Sequence, residues 1–128
     1  MIVLDASVVI ALLDKSDLHH DRSLQLFDEN APEGFFMHSL TMAEVLVVAA
    51  RNGSANARFA QLSTAGISVA PQLDDEPVAL AELRASTGLR LPDCCVLVAA
   101  LHSGSAVATF DERLAREAAR VGVLVVSR

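Results

Sequence analysis

The sequence predicts one α/β domain, a parallel sheet with helices packed on both faces. Short Val-rich runs of strand length alternate with longer helical stretches from one end of the chain to the other, the pattern of a parallel sheet covered by its own crossover helices. Gly and Pro stand at the joints, where a helix must stop or a turn begin. The composition agrees. Of 128 residues, 52% are hydrophobic and 20% charged, with no Trp and no Tyr, so one core built largely from Ala, Val and Leu has to hold residues 1–128 together as a single domain.

Residues 1–4 form the first predicted strand, an apolar run that stops at Asp5. Residues 7–13 have helical character, with Ser7 as a candidate cap. In "DLHHDRSLQLFDE" the apolar Leu24, Leu26 and Phe27 suggest a second helix, and Pro32 and Gly34 punctuate the chain after it. "FFMHS" is a second short strand. The helix after it, "LTMAEVLVVAAR", carries Thr41 and, three residues on, Glu44, a spacing that resembles a capping box; "NGS" closes it. An amphipathic segment begins at residue 56 and runs to residue 62 or beyond, until Gly66 ends it. A third strand, "ISVAP", precedes a helix in "DDEPVALAELRAST" with acids in its first turn and Gly88 as its stop. Pro92 introduces a helix over "DCCVLVAALHSG" that Gly104 ends. "AVATF" is a fourth strand, "DERLAREAARVG" an amphipathic helix and "VLVV" a fifth strand. Right-handed crossovers limit the order in which these strands can lie.

Several function classes are disfavoured at once. The longest apolar stretches, "VLVVAA" and "CCVLVAAL", fall far short of the roughly 20 residues a membrane helix needs. No basic region precedes the first apolar run and Asp5 interrupts it early, so no secretory signal is expected and the expected location is the cytoplasm. Cys94 and Cys95 are sequence neighbours, which disulfide geometry disfavours; they are expected as small core groups. With scattered His and no further Cys, a structural zinc site has no support.

The net charge of −6 argues against a surface that binds nucleic acid all over, but not against an acidic pocket that gathers cations. Nine of the ten basic residues are Arg and one is Lys15, and Arg suits bidentate phosphate contact. Arg113, Arg116 and Arg120 are spaced to share a helix face, expected to be solvated, with RNA phosphate as the alternative. His19 and His20 are expected at a solvated helix start. The "DDE" at residues 74–76 reads as a helix amino terminus.

Four carboxylates sit where a purely structural sequence has little use for them. Asp5 ends the first strand, Glu44 lies early in the "TMAEVL" helix, Asp93 begins the "DCCVLVAAL" helix, and Asp111 follows the fourth strand. Each alone has a plain explanation as a cap, half of a capping box or a turn residue. Together they have another. In an open parallel sheet the strand ends converge at the carboxyl edge, and ligands bind where the strand order reverses. If the first and fourth strands are neighbours there, Asp5 and Asp111 face each other. Gathered carboxylates repel one another and need a cation to offset them. Oxygen donors without Cys or His suit Mg²⁺ or Mn²⁺, which activate water and hold phosphate oxygens in phosphodiester hydrolysis.

The blocks "IVLDASVVIALL", "LTMAEVL", "LPDCCVLVAAL" and "AVATFDERLAREA", followed by "VLVV", span nearly the whole chain. In this order and spacing the sequence resembles the PIN-domain ribonucleases, most closely the small VapC-like toxins of type II toxin-antitoxin pairs. The resemblance implies a three-layer α/β/α fold with a five-stranded parallel sheet in order 3-2-1-4-5. It also implies that Asp5, Glu44, Asp93 and Asp111 form an acidic site for Mg²⁺ or Mn²⁺, with Ser7 and Thr109 as supporting polar positions. The implied activity is endoribonucleolytic cleavage leaving a 3′-hydroxyl and a 5′-phosphate. The implied partners are RNA, a cognate antitoxin that places a basic side chain among the carboxylates, and a second copy in a homodimer. The vicinal Cys94 and Cys95 depart from the small apolar residues expected after Asp93.

Two other enzyme classes fit less well. A receiver domain wants an Asp at the end of the third strand, absent from "ISVAPQ", and a Lys after a later strand. A haloacid-dehalogenase-type phosphotransferase wants a second Asp where Ser7 stands. The non-enzymatic alternative is a PIN-like module that binds RNA or protein without cutting.

Overall fold

The computed structural model describes residues 1–127. In chain order the elements are β1 (Ile2–Leu4), α1 (Ala6–Leu13), α2 (His20–Asn30), a 3₁₀ turn (Ala31–Glu33), β2 (Phe35–Met37), α3 (Ser39–Arg51), α4 (Ala55–Thr64), β3 (Ile67–Val69), α5 (Glu76–Thr87), α6 (Leu91–Ser103), β4 (Ala106–Ala108) and α7 (Glu112–Arg120). The strands form one parallel sheet in the order β3-β2-β1-β4. No helix among the described residues is long and apolar enough to cross a membrane.

Alternation along each strand divides the core into two layers, because successive strand side chains point to opposite faces. Ile2, Leu4, Phe35, Met37 and Ala108 pack on one face with Val8, Val9, Leu26, Met42, Val45 and Leu62 of α1 to α4. Val3, Phe36 and Val107 pack on the other with Val96, Leu97, Leu114 and Ala118 of α6 and α7. The expected α/β/α layering follows from this. Helix α6 is buried continuously from Cys94 to Ala100, which is why its sequence reads as an unbroken apolar run. Cys94 and Cys95 are free and buried within it. Burial pushes the Cys95 thiol up to about 11, so neither its position nor its protonation suits it to nucleophilic work.

The fifth strand is a correction. "VLVV" runs beside β4 in the expected fifth position, but the pairing is a single parallel bridge, Val107 with Val125. Two backbone bonds carry it, from the Val107 amide to the Leu124 carbonyl at 2.8 Å and from the Val126 amide to the Val107 carbonyl at 3.0 Å. Where the next pair belongs, the Ser127 side chain takes both polar groups of the Thr109 backbone, and the ladder ends.

Three helix starts also differ from expectation. Asp5, not Ser7, caps α1, its carboxylate accepting from the Ala6 amide. The capping box at Thr41 and Glu44 is not formed, because α3 begins earlier. His38 caps it, Nδ1 accepting from the Leu40 amide at 3.0 Å while the His38 carbonyl accepts from the Met42 amide. Thr41 is therefore inside the helix, its hydroxyl buried without a hydrogen-bond partner among the described residues, and Glu44 stands on the second turn, exposed.

The histidines expected in solvent are half-buried. Nδ1 of His20 contacts the Ala11 carbonyl oxygen at 2.7 Å, and His19 stacks on Phe110. Of the three exposed arginines of α7, Arg113 and Arg120 reach back to the end of α5, donating to the carbonyls of Gly88 and Ser86. They brace one helix against another, and Arg116 alone matches a purely solvated face.

Candidate functional site

β1 and β4 are neighbours, with Leu4 in register with Ala108. To one side of β1 the chain continues into β2 and β3; to the other lies β4. The carboxyl ends of β1 and β4 thus flank the reversal of strand order, where open parallel sheets leave a crevice. Asp5 leaves the end of β1 and its amide donates to the Ala108 carbonyl at 3.0 Å, tying the two strand ends together.

The Asp5 carboxylate is 9% exposed and held by three donors. Oδ1 accepts from the Ala6 amide at 2.8 Å. Oδ2 accepts from the Ser7 hydroxyl at 2.8 Å and the Thr109 hydroxyl at 2.7 Å. Both hydroxyls have their protons assigned by their other partners. Ser7 Oγ accepts from the Phe110 amide at 3.1 Å, and Thr109 Oγ1 from the Asp111 amide at 3.0 Å. An amide can only donate, so each hydroxyl must spend its single proton on Asp5. Two backbone amides of the β4–α7 turn are thereby relayed onto one carboxylate oxygen. Asp111 itself caps α7, Oδ1 accepting from the Leu114 amide at 3.0 Å.

Asp93, half-buried in the first turn of α6, faces this network electrostatically. Burial raises its pKa above the ordinary carboxylate value, and the charges of Asp5 and Asp111 raise it further, against the opposing pull of Arg90 and Arg113. Glu44 is also raised, by burial first and then by Asp5 and Asp93, with Arg90 opposing. The four predicted acids are linked through their fields, Asp5 and Asp93 acting on Glu44 and Asp5 and Asp111 on Asp93, and the Ser7 and Thr109 hydroxyls contact Asp5 directly. Arg90, Arg113 and Ser127 were not singled out as members. The local signal was proximity in sequence: Arg90 stands three residues before Asp93 and Arg113 two after Asp111. No basic side chain among the described residues lies within ion-pair distance of the four acids.

A raised carboxylate pKa has a definite sign in stability. The folded protein binds protons more tightly than the unfolded chain, so folding is favoured below the raised pKa and disfavoured as pH climbs through it. Metal-free protein should therefore lose stability as pH rises above the ordinary Asp and Glu range of 3.8 to 4.5. Replacing Glu44 by Gln removes one repelling charge without touching a helix cap. Its expected result is a higher denaturation midpoint at pH 7 in chelator and no gain at pH 3, read by thermal melts. The gain is small because Glu44 is mostly exposed.

Oxygen donors that repel one another fit a hard divalent cation. Among the described residues no three His, Cys, Asp or Glu side chains form a preformed metal cage.

A family model described as PIN domain matches residues 2–120. Among solved structures, the chain is similar to a toxin-antitoxin complex from Klebsiella pneumoniae, with TM-score 0.78 and 20% identity over 100% of this chain and 98% of that one. It is similar to VapC20 of Mycobacterium tuberculosis, described as a sarcin-ricin loop cleaving toxin, with TM-score 0.74 and 18% identity over 97% of each chain. FitAcB from Neisseria gonorrhoeae follows at TM-score 0.70 and 20% identity, covering 98% and 96%. At such identities the likeness is one of fold. No curated protein matches the sequence.

Proposed function

Since this chain belongs to the PIN domain family, we propose that it is a divalent-cation-dependent endoribonuclease and the toxin of a type II toxin-antitoxin pair. The observation that carries the reading is the Asp5 carboxylate fixed at the joined carboxyl ends of β1 and β4, with Asp93 and Glu44 each lying in the field of two other acids. Such a centre is costly to a fold unless a cation uses it. The fold shared with VapC20 and with a toxin-antitoxin complex supports RNA as substrate and an antitoxin as partner.

Mg²⁺, or Mn²⁺ in its place, would be held by Asp5 and Asp93 with Glu44 and Asp111. Bound there, the cation supplies an activated water and neutralises charge on the phosphodiester. The chain's own residues do the rest. Ser7, Thr109 and the Ala6 amide lock the Asp5 carboxylate in one rotamer, so its remaining lone pairs keep a fixed direction. Burial and the neighbouring acids raise the pKa of Asp93 and Glu44, so protons would compete there with a cation as pH falls. Arg90 and Arg113, near the acids but not paired with them, attract the phosphate backbone. The products are a 3′-hydroxyl and a 5′-phosphate. The active form is a cytoplasmic homodimer, restrained by an antitoxin that lays a basic side chain among the carboxylates.

Total cellular RNA incubated with the purified protein in Mg²⁺, in Mn²⁺ and in excess chelator decides this. New 5′-phosphate ends, mapped by sequencing, are expected with either cation and absent in chelator. Cleavage that survives chelation overturns the reading. An uncut pool under all three conditions favours the rival, a PIN module that binds RNA or protein without cutting.

A further inference from the structure

One part of the network has no role in the mechanism above. The Ser127 hydroxyl, 6% exposed, accepts from the Thr109 amide at 2.8 Å and donates to the Thr109 carbonyl at 2.5 Å. A single side chain thus satisfies both backbone groups of the residue whose hydroxyl orients Asp5. Its proton too has only one place to go, because the amide occupies the accepting side of the oxygen. The carbonyl of Ser127 is in turn held by the Arg22 guanidinium from α2, which also lies 5.3 Å over the Phe110 ring. These bonds stand where a fifth strand would otherwise have paired with β4.

We propose that Ser127, anchored by Arg22, is a positioning residue for the acid centre, clamping the Thr109 peptide so that the Thr109 hydroxyl presents its proton to the Asp5 carboxylate. The inference rests on the ribonuclease reading only in assuming that a divalent cation uses this centre. An ordinary strand pairing would hold the Thr109 backbone with neighbouring amides and carbonyls and leave its plane free to shift with the ladder. A clamp by one hydroxyl closes on Thr109 alone. Every link from Arg22 through Ser127 and Thr109 to Asp5 has a defined donor and acceptor, so loss of one link leaves a buried group unpaired and lets Asp5 rotate.

The test compares Ser127→Ala, Ser127→Thr and Ser23→Ala. Ser23 is a fully buried serine whose hydroxyl donates to the Val8 carbonyl at 2.7 Å, a bond of similar kind that does not touch the Asp5 carboxylate or the Thr109 peptide. The primary readout is Mn²⁺ affinity by electron paramagnetic resonance; RNA cleavage and the thermal midpoint are measured in parallel. Ser127→Ala is expected to weaken Mn²⁺ binding by about 10-fold to 100-fold, the range for residues that orient a metal ligand, and to lower kcat more than it changes KM. Ser127→Thr recovers both, and Ser23→Ala lowers the thermal midpoint while binding Mn²⁺ as the wild type does. If the alanine change prevents folding, Arg22→Gln carries the same expectation with a smaller effect.

Unchanged Mn²⁺ affinity in Ser127→Ala overturns the proposal, as does an equal loss in Ser23→Ala. Wild-type protein that binds Mn²⁺ without cutting RNA defeats the ribonuclease reading but leaves the positioning role standing if Ser127→Ala weakens the binding. Wild-type protein that binds no Mn²⁺ defeats both.

Discussion

Asp5→Asn is expected to stop cation-dependent RNA cleavage, with kcat/KM falling at least about 10³-fold, on the order of 4 kcal/mol of transition-state stabilisation. The substitution keeps the shape of the side chain and changes two things. It removes the negative charge that attracts the cation, and it replaces an acceptor oxygen with a donor NH₂. The second change has nowhere to hide. Oδ2 faces the protons of Ser7 and Thr109, and Oδ1 faces the Ala6 amide, so either flip of the amide sets donor against donor. Each hydroxyl also accepts from a backbone amide, of Phe110 or Asp111, so it stays in place and can relieve the clash only by turning its proton off the carboxylate that receives it. Some loss of stability therefore accompanies the loss of activity. Circular dichroism and a thermal melt establish that the variant is folded at the assay temperature; a folded variant that still cuts RNA at the wild-type rate removes Asp5 from the centre.

The second large effect lies away from the acids. Glu76→Ala is expected to destabilise the fold by about 3 kcal/mol, a large share of the 5–15 kcal/mol typical of a domain. Glu76 is the first residue of α5 and only 6% exposed; its Oε1 lies 2.7 Å from Nε2 of His38. Because His38 Nδ1 accepts from the Leu40 amide, the ring proton belongs on Nε2, where Glu76 receives it. One imidazole thus caps α3 and pins α5 to it. Alanine leaves a buried N–H without an acceptor and a void beside it. Glu76→Gln keeps an acceptor oxygen and is expected to cost less than about 1.5 kcal/mol. Urea denaturation of the three proteins separates these outcomes, and equal losses for Ala and Gln would mean that the bond to His38 is not what Glu76 supplies.

Much of this molecule is legible from local pattern. Strand and helix positions follow from Val-rich runs, from Gly88 and Gly104 at helix ends and from Pro92 in the first turn of α6. The four acids stand out because each interrupts apolar sequence, Asp5, Asp93 and Asp111 near the joint between two elements and Glu44 inside a helix, and local rules explain one such residue but have no use for four. Local pattern misled at the caps. A Ser three residues past a strand and a Thr three before a Glu both satisfy the capping rules, yet Asp5 and His38 reached the free amides first. It misled again at "VLVV", whose β-character is real but whose ladder a single serine hydroxyl cuts short.

By itself, then, the sequence determined the alternation of elements and the two-faced core and singled out the four acids, because each is read from spacing along the chain and from the apolar periods of strand and helix. Only the tertiary structure decided that the Thr109 hydroxyl orients Asp5, that Ser127 and Arg22 stand behind Thr109, and that His38 and Glu76 meet. Those partners lie 18 to 105 residues apart. Hydrogen bonds join them through geometry fixed when the sheet closes, and no local propensity encodes a distance of that kind.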